Sequence, residues 1–278
     1  MILSIYLKEQ HFTFDTSKVK DISIPLKFNG EQPNIYNTKR AESRAYEADG
    51  FIGDTRQGGG CNFEQLTLVP HCNGTHTECI GHITHKRFSI QEQLKDSLIP
   101  ATVLTVSPEN AMTSTDTYHP EKEKEDVFIS ARSLKNGLDN IPKEFLKALV
   151  IRTLPNDAAK MKRNYMQKQP AFFSIEAMNY IVKAGVEHLL VDVPSVDRAY
   201  DEGKLNAHHL FWNIKAGSHK EESNSMVNKT ITEMIYVRDE VADGLYLLNL
   251  QIAPFVSDAA PSRPLLYPLI KALKADKH

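Results

Sequence analysis

The sequence lacks any hydrophobic run long enough to cross a bilayer. Its first residues, MILSIYLKEQHF, are apolar for only a few positions and show neither a basic leader nor a small-residue cleavage site. Neither sign of charge dominates, because 33 basic and 35 acidic residues leave a formal net charge of -2. This balance argues against a strong electrostatic preference for nucleic acid or anionic membranes. We therefore expect a cytoplasmic protein without nucleic-acid or membrane partners.

Cysteine is also scarce, with 3 residues, Cys61, Cys72 and Cys79. An odd number excludes a fully paired disulfide framework within one chain. All three fall in one short segment that is also rich in histidine. A structural zinc site is one interpretation, but the paired Cys-x-x-Cys spacing that such sites prefer is absent. We expect instead that the thiols line the wall of a site as small apolar groups.

The rest of the composition is that of an ordinary globular protein. The 278 residues are 41% hydrophobic, which is enough to bury a sizeable core. Strand and helix patterns mix along the chain, so the predicted class is a mixed α/β or α+β fold. The clearest helix begins after Ser174, which caps it, and ends at Gly185. We expect a single domain over residues 1–278.

Shorter apolar patterns predict the strands. Alternation predicts one strand near 22–26 and another over 244–255 with alternate residues buried. A strand ending near Val69 is expected to deliver His71 at its end. Three glycines at 58–60 predict a flexible loop, and loops near sites often act as lids. Further apolar strands are predicted at PATVLTVS, KALVIRTL, EHLLVDVP and TITEMIYV.

The most informative segment is HCNGTHTECIGH, which contains His71, His76, Glu78 and His82. Metal sites that perform chemistry need nitrogen and oxygen donors and an open coordination position for water. His76 and Glu78 are two apart, so on an extended chain their side chains point to the same side. Gly74 permits a tight turn that brings His71 back beside His76. The alternative, that these are unrelated residues satisfied by hydrogen bonds, explains the clustering poorly. The segment predicts a divalent-metal site.

With these residues the chain resembles the cyclase family of metal-dependent hydrolases, which includes bacterial kynurenine formamidase and isatin hydrolase. The family motif is His-x-Gly-Thr-His-x-Asp-x-Pro-x-His, and Gly74, Thr75, His76 and His82 match it in place. The likeness continues, in the family's order, through VDVPSVD, NAHH, TITEM and DAAPSRPL. The resemblance implies a swivelling β/β/α fold and a homo-oligomer, often a dimer.

The resemblance also implies which side chains bind the metal and which one acts as the catalyst. The implied metal ligands are His71, His76, Glu78, His208 and Glu233. His82 matches the catalytic histidine. His209 competes with His208, and Glu240 with Glu233, because each lies close by in the sequence.

The expected reaction is hydrolysis of a non-peptide amide C–N bond in a small-molecule substrate, such as an N-formyl group or a lactam. The metal lowers the pKa of a bound water, and the resulting hydroxide attacks the carbonyl. His82 acts as general base and then protonates the leaving amine. Mixed imidazole and carboxylate donors suit Zn²⁺ and Mn²⁺ equally, as one or two ions. Asp192 and Asp197 are candidates either for partners that orient the metal ligands or for structural residues at strand ends, and we expect a structural role for both.

Several features depart from the family pattern. One extra residue follows His71, Glu78 replaces the usual Asp, and Ile80 occupies the usual proline position. An insertion at 217–229 lengthens the connection that leads to Glu233. The longer arm of Glu78 favours a single metal ion. These departures also suggest a second possible function, a non-catalytic metal- or small-molecule-binding protein on the same scaffold.

Overall fold

The computed structural model describes residues 1–272. The strands, in chain order, are β1 (Ile2–Leu7), β2 (Gln10–Asp15), β3 (Lys20–Asp21), β4 (Glu42–Ala45), β5 (Glu47–Ala48), β6 (Phe51–Ile52), β7 (Glu64–Thr67), β8 (His76–Cys79), β9 (Leu98–Val106), β10 (Glu109–Asn110), β11 (Val127–Ile129), β12 (Ala148–Thr153), β13 (Phe172–Phe173), β14 (His188–Val191), β15 (Thr230–Glu233), β16 (Gly244–Asn249), β17 (Ala259–Pro261), β18 (Leu265–Pro268) and β19 (Ile270–Lys271).

The α-helices are short. They are α1 (Pro70–Asn73), α2 (Ile90–Gln93), α3 (Ala131–Leu138), α4 (Ile175–Lys183) and α5 (Asn206–Trp212). Within residues 1–272, none of the helices has the length and apolar character needed to span a bilayer. The last six positions of the predicted single domain, 273–278, lie outside the described residues, and the domain boundary stays a prediction.

Nine strands form one mixed sheet in the order β17–β8–β15–β14–β12–β9–β16–β18–β3. The central strands β15, β14, β12 and β9 run parallel, and antiparallel strands flank them on both sides. Parallel neighbours need long crossover connections, and α3, α4 and α5 lie in these crossovers. The predicted mixed α/β class is confirmed.

Both faces of the central strands are covered. Leu149 and Ile151 of β12 belong to a core cluster that also contains Met178 of α4 and Phe211 of α5. Val150, between them on the same strand, belongs to a second cluster on the opposite face. A strand that is buried on both faces needs an unbroken apolar run, which explains why KALVIRTL predicts its strand correctly.

Local signals place the helix α4 correctly. Ser174 is its N-cap, and the Ser174 hydroxyl accepts a hydrogen bond from the Ala177 N–H at 3.0 Å. Gly185 has a φ of +85°, a conformation that glycine adopts at little cost, and it follows the end of the helix. The predicted helical character of AHHLFWNI is also confirmed, by α5.

Two predicted strands differ from the structure. Near 22–26 only Lys20–Asp21 forms a strand, since Pro25 has no N–H to donate and the Ile24 N–H bonds the Thr75 hydroxyl at 2.8 Å. The strand β16 does not show alternate burial, because Tyr246 and the two leucines after it are all buried. Because successive side chains of a strand point to opposite faces, the burial of these three neighbours shows that both faces of β16 are covered.

The segment before the histidine cluster also differs from its prediction. The strand β7 is exposed, pairs with β4 and ends at Thr67, so His71 lies on α1 instead of at a strand end. In the glycine-rich loop, a Cβ on Gly59 would lie 2.0 Å from the Ile52 carbonyl oxygen. Close backbone packing therefore requires this glycine, while the role of the loop as a lid stays a prediction.

A buried ion pair ties the connection after β12 to the sheet. Lys160 Nζ lies 2.7 Å from Asp192 Oδ2, and the two side chains are 5% and 0% exposed. Asp192 also accepts hydrogen bonds from the N–H and hydroxyl of Thr153. These contacts agree with the structural role expected for Asp192.

We expect Asp192→Ala to lower the free energy of unfolding by about 3–5 kcal/mol, because it leaves the Lys160 charge buried and unpaired. Urea unfolding followed by circular dichroism measures the loss. Glu31→Ala is the matched control, since it removes an exposed carboxylate paired with Lys162 and should cost at most about 1 kcal/mol. Equal, small losses in both variants would contradict the prediction.

Candidate metal centre

The two ligands predicted from one strand lie on the same side of β8. His76 and Glu78 are both fully buried, whereas Thr77 between them points away and bonds a threonine of β15. The strand β8 pairs antiparallel with β15, and the register sets His76 opposite Glu233. His76 Nδ1 donates to the Gly74 carbonyl at 2.9 Å, which leaves Nε2 at 3.5 Å from Glu233 Oε2.

His71 reaches the same cluster from α1, despite the extra residue in the motif. Its Nδ1 lies 2.9 Å from Glu78 Oε2, and its Nε2 lies 2.9 Å from Asp258 Oδ2. The helix α1 is a single turn, and Gly74 after it has a φ of +154°, a conformation that side chains with a Cβ rarely adopt. This turn takes up the additional residue.

His208 lies on α5 between carboxylates. Its Nδ1 donates to Asp197 Oδ2 at 2.6 Å, and its Nε2 lies 3.0 Å from Glu78 Oε1 and 3.9 Å from Glu233 Oε1. Asp197 accepts further hydrogen bonds, at 2.7 Å each, from the Tyr118 hydroxyl and from a backbone N–H in the first turn of α5. The expected structural role of Asp197 is therefore incomplete, because its carboxylate also orients the ring of His208.

The structure separates these ligands from their competitors in the sequence. His209 follows His208 on the same helix. Of these two histidines, only His208 belongs to a group of potential metal donors within residues 1–272. Glu240 is exposed and pairs with Lys20 at 3.4 Å, whereas Glu233 is buried. His208 therefore lies in the cluster, and Glu233 lies beside it, 3.5 Å from His76 Nε2, although none of these donor groups includes Glu233. Whether these residues bind the metal stays a prediction.

His82 forms the accessible edge of the cluster. It ends the 3₁₀ turn Ile80–His82, and its ring stacks on that of His71 with centroids 4.2 Å apart. Its Nε2 lies 4.0 Å from Glu78 Oε2, and its Nδ1 lies 3.6 Å from Asp258 Oδ2. The His82 side chain is 27% exposed while that of Glu78 is 1% exposed. Solvent therefore reaches the cluster from this side.

The charges of the cluster depend on one another. Burial by itself would raise the pKa of Glu78, but His82 and His208 outweigh it and hold that pKa well below its usual range. Burial would lower the pKa of His71, yet Asp258 and Glu78 reverse the shift and raise the pKa to about 10. The pKa of His208 is raised in the same way, chiefly by Glu78. Without a metal, protons on the rings balance the ionised carboxylates.

The insertion at 217–229 packs beside the motif without separating the ligands. The His85 N–H donates to the His219 carbonyl at 2.8 Å, and His219 Nδ1 bonds a carbonyl of the segment after His82 at 2.8 Å. The insertion then leads directly into β15, which carries Glu233. The longer connection is therefore accommodated at the surface of the fold.

The remaining motif residues pack outside the cluster. Cys72 and Cys79 are buried in two different apolar clusters, and Cys61 is exposed. None of the potential donor groups found in residues 1–272 contains a cysteine, so the structure gives no support to a thiolate zinc site. Ile80, at the usual proline position, is fully buried in the main core cluster.

Sequence reasoning assigned no role to Asp258. It directly precedes β17, where Ala259 pairs with Glu78 of β8. This pairing places the Asp258 carboxylate beside the two accessible histidine rings. The only signal in the sequence was its position as the first residue of DAAPSRPL, a segment that supported the family resemblance without pointing to the site.

The cluster contains buried donor atoms without hydrogen-bond partners. They include His76 Nε2 and Glu78 Oε2, although Glu78 Oε2 lies 2.9 Å from His71 Nδ1 as an ion pair. Buried polar atoms without hydrogen bonds are costly, and a cation would satisfy both. The donor atoms of His71, His76 and Glu78 all lie within 4.8 Å of one another, as do those of Glu78, His82 and His208. Nitrogen and oxygen donors in this mixture fit a divalent metal such as Zn²⁺ or Mn²⁺.

The fold and the cluster together define an α/β protein with a His/carboxylate centre suited to a divalent metal. A family model described as "Putative cyclase" matches residues 7–198. Because this match covers more than half of the chain, the protein belongs to the Cyclase family. A search of the curated proteins finds no match to this chain.

Solved structures share the fold. A predicted metal-dependent hydrolase from Bacillus stearothermophilus is 16% identical over 90% of this chain and 98% of that chain, with a TM-score of 0.57. An isatin hydrolase bound to the product analogue thioisatinate is 16% identical over 92% and 93%, also with a TM-score of 0.57. Isatin hydrolase A from Labrenzia aggregata, bound to benzyl benzoate, is 13% identical over 90% and 93%, with a TM-score of 0.57. At these identities the likeness establishes the fold alone.

Metal binding to this centre should release protons. The pKa of His71 is about 10 and that of His208 is raised too, so near neutral pH both rings carry protons that a metal must displace. We expect the apparent Zn²⁺ affinity to rise with pH, with roughly two protons released per ion near neutral pH. Calorimetry in buffers of different ionisation enthalpy counts these protons.

The control for this experiment is His71→Ala, which should release about one proton fewer per ion. Zinc binding that is independent of pH and releases no protons would show that the rings are already neutral in the metal-free protein.

Proposed function

We propose that this protein is a metal-dependent hydrolase that cleaves the amide C–N bond of a small, non-peptide substrate. The observation that carries the proposal is that the donor atoms of His71, His76 and Glu78 lie within 4.8 Å of one another, with His76 Nε2 and Glu78 Oε2 buried and making no hydrogen bond. Membership of the Cyclase family supports it, and so does the likeness to an isatin hydrolase that holds a product analogue.

The proposed ligands, for one or two ions, are His71, His76, Glu78, His208 and Glu233. All but His71 are at most 3% exposed, so the charges there interact in a water-poor environment. A divalent cation held by these residues would supply Lewis acidity, which makes water more acidic and a substrate carbonyl more electrophilic. Both Zn²⁺ and Mn²⁺ suit this donor set.

The position of His82 supports a role in moving the proton during the reaction. Its Nε2 lies 4.0 Å from Glu78 Oε2, and its side chain is 27% exposed to solvent. In the proposed reaction His82 accepts a proton from the attacking water. It then delivers that proton to the amine nitrogen as the C–N bond breaks, and the products are a carboxylic acid and an amine.

The proposal also includes the assembly state and the cellular location of the protein. A small-molecule substrate, a homo-oligomer and a cytoplasmic setting are the expectations that accompany the family resemblance and the sequence. Sedimentation of the purified protein would determine its assembly state independently of its activity.

His76→Ala and Glu78→Ala should each lose the metal, because each variant removes a buried donor that no neighbour replaces. Elemental analysis of the purified variants measures the metal-to-protein ratio. His11→Ala is the control, since His11 lies on β2 in a separate sheet and stacks on Tyr6, and its metal content should match that of the native protein. Full metal occupancy in both ligand variants would defeat the ligand assignment.

His82→Ala should retain the metal but reduce turnover by about a hundredfold to ten-thousandfold, the usual contribution of a general acid–base group. N-formylkynurenine, isatin and simple lactones are the compounds to assay against metal-loaded protein. Because His82 also belongs to a potential donor group, metal loss in this variant would make it a ligand instead. Unchanged hydrolysis of every accepted compound would remove it from the mechanism.

The same assay separates an enzyme from a binding protein. A binder on this scaffold would give saturable binding of one of these compounds to the metal-loaded native protein, with no product formed.

A further inference from the structure

Asp258 lies between the two histidine rings on the accessible side of the cluster. Its Oδ2 is 2.9 Å from His71 Nε2 and 3.6 Å from His82 Nδ1, and its side chain is 22% exposed. The backbone holds it in place, because its carbonyl accepts a hydrogen bond from the Cys79 N–H at 3.0 Å. The next residue continues the pairing of β17 with β8. Asp258 is therefore fixed to the strand that carries Glu78.

Each of the two rings presents one nitrogen to Asp258 and the other to Glu78. For His71 the outer atom is Nε2, and the inner atom is Nδ1, 2.9 Å from Glu78 Oε2. For His82 the outer atom is Nδ1, and the inner atom is Nε2, 4.0 Å from the same oxygen. The hydrogen bond to Asp258 keeps a proton on the outer nitrogen of His71, so that the other nitrogen points inward. At 3.6 Å from His82 Nδ1 the carboxylate is too far for a hydrogen bond, but its charge favours a proton on that outer nitrogen too.

The other two rings of the cluster show the same arrangement. His208 donates its outer Nδ1–H to Asp197 at 2.6 Å, and His76 donates its outer Nδ1–H to the Gly74 carbonyl at 2.9 Å. Asp258 thus stands where an orienting acceptor stands for the other rings, on the side away from the centre. Asp258 also forms a potential donor group with His71 and His82, but it contacts the outer nitrogens of those rings, whereas Glu78 contacts the inner ones.

We propose that Asp258 is the positioning residue for both His71 and His82. It holds the His71 ring so that Nδ1 is free for a cation. This ring needs such support because His71 lies on the short helix α1 and not on the strand that carries His76 and Glu78. Asp258 also holds His82 with Nε2 free to exchange a proton with the substrate. One carboxylate thereby couples the metal-binding edge of the site to its acid–base group. This inference rests on the proposed metal-dependent function.

The test compares Asp258→Asn and Asp258→Ala with the native protein. Zn²⁺ affinity, measured by competition with a chromophoric chelator, should fall about tenfold to a hundredfold in both variants, the usual effect of removing a group that orients a ligand. On any compound that the native protein hydrolyses, kcat at saturating zinc should fall while KM changes little, because His82 loses its orientation. The urea midpoint of the metal-free protein shows whether each variant is folded.

Asp21→Asn is the matched control. Asp21 lies on β3 at the far end of the large sheet and pairs with Arg263 at 2.8 Å, so zinc affinity and turnover should stay at the native level. If Asp258→Ala does not fold, the zinc affinity and kcat of Asp258→Asn test the proposal, because asparagine keeps the size of the side chain.

The two proposals fail in different ways. A native protein that binds no zinc would overturn the metal-dependent function and, with it, the role of Asp258. Native zinc binding with unchanged affinity and kcat in both folded Asp258 variants would overturn the role of Asp258 alone. A fall in affinity accompanied by an equal fall in the control would assign the effect to surface charge and would also overturn the inference.

Discussion

The ionised carboxylate of Glu78, fully buried on β8, is the feature on which the rest of the centre depends. A carboxylate in that position is unfavourable unless opposite charge and hydrogen bonds compensate for the lost water. His208, His71 and His82 provide that compensation, each within 4.0 Å of a Glu78 oxygen. Two of these rings, His208 and His71, are also proposed metal ligands. In the metal-free protein, protons on His71 and His208 thus supply positive charge that a bound cation would otherwise supply.

The topology of the sheet brings these groups together. The parallel strand β15 ends at Glu233, and its neighbour β14 leads into the segment that contains Asp197. The antiparallel strand β8 then pairs with β15 and sets His76 opposite Glu233. The site therefore lies where the parallel part of the sheet meets an antiparallel edge, outside the carboxyl ends of the parallel strands, a common position for ligands in α/β proteins.

The departures from the family motif are absorbed locally. A single helical turn and Gly74 take up the extra residue after His71, and Ile80 replaces a proline as part of the main core. The insertion at 217–229 packs against the segment after His82 and still leads Glu233 to within 3.9 Å of His208. The Glu78 side chain, one methylene longer than the usual Asp, contacts His71 with one oxygen and His208 with the other. It therefore belongs to two of the potential donor groups.

Short-range signals in the sequence determined a substantial part of this protein. The spacing within HCNGTHTECIGH predicted the donor segment, Ser174 and Gly185 marked the ends of α4, and unbroken apolar runs predicted the central strands. The family resemblance added His208 and Glu233. Tertiary structure alone brought the His208 ring into a potential donor group, placed His71 on a helical turn, and brought Asp258 to the cluster through the pairing of β17 with β8. The physical reason is that caps, spacing and periodicity are properties of neighbouring residues, whereas the partners of a buried carboxylate are set by strands far apart in the chain.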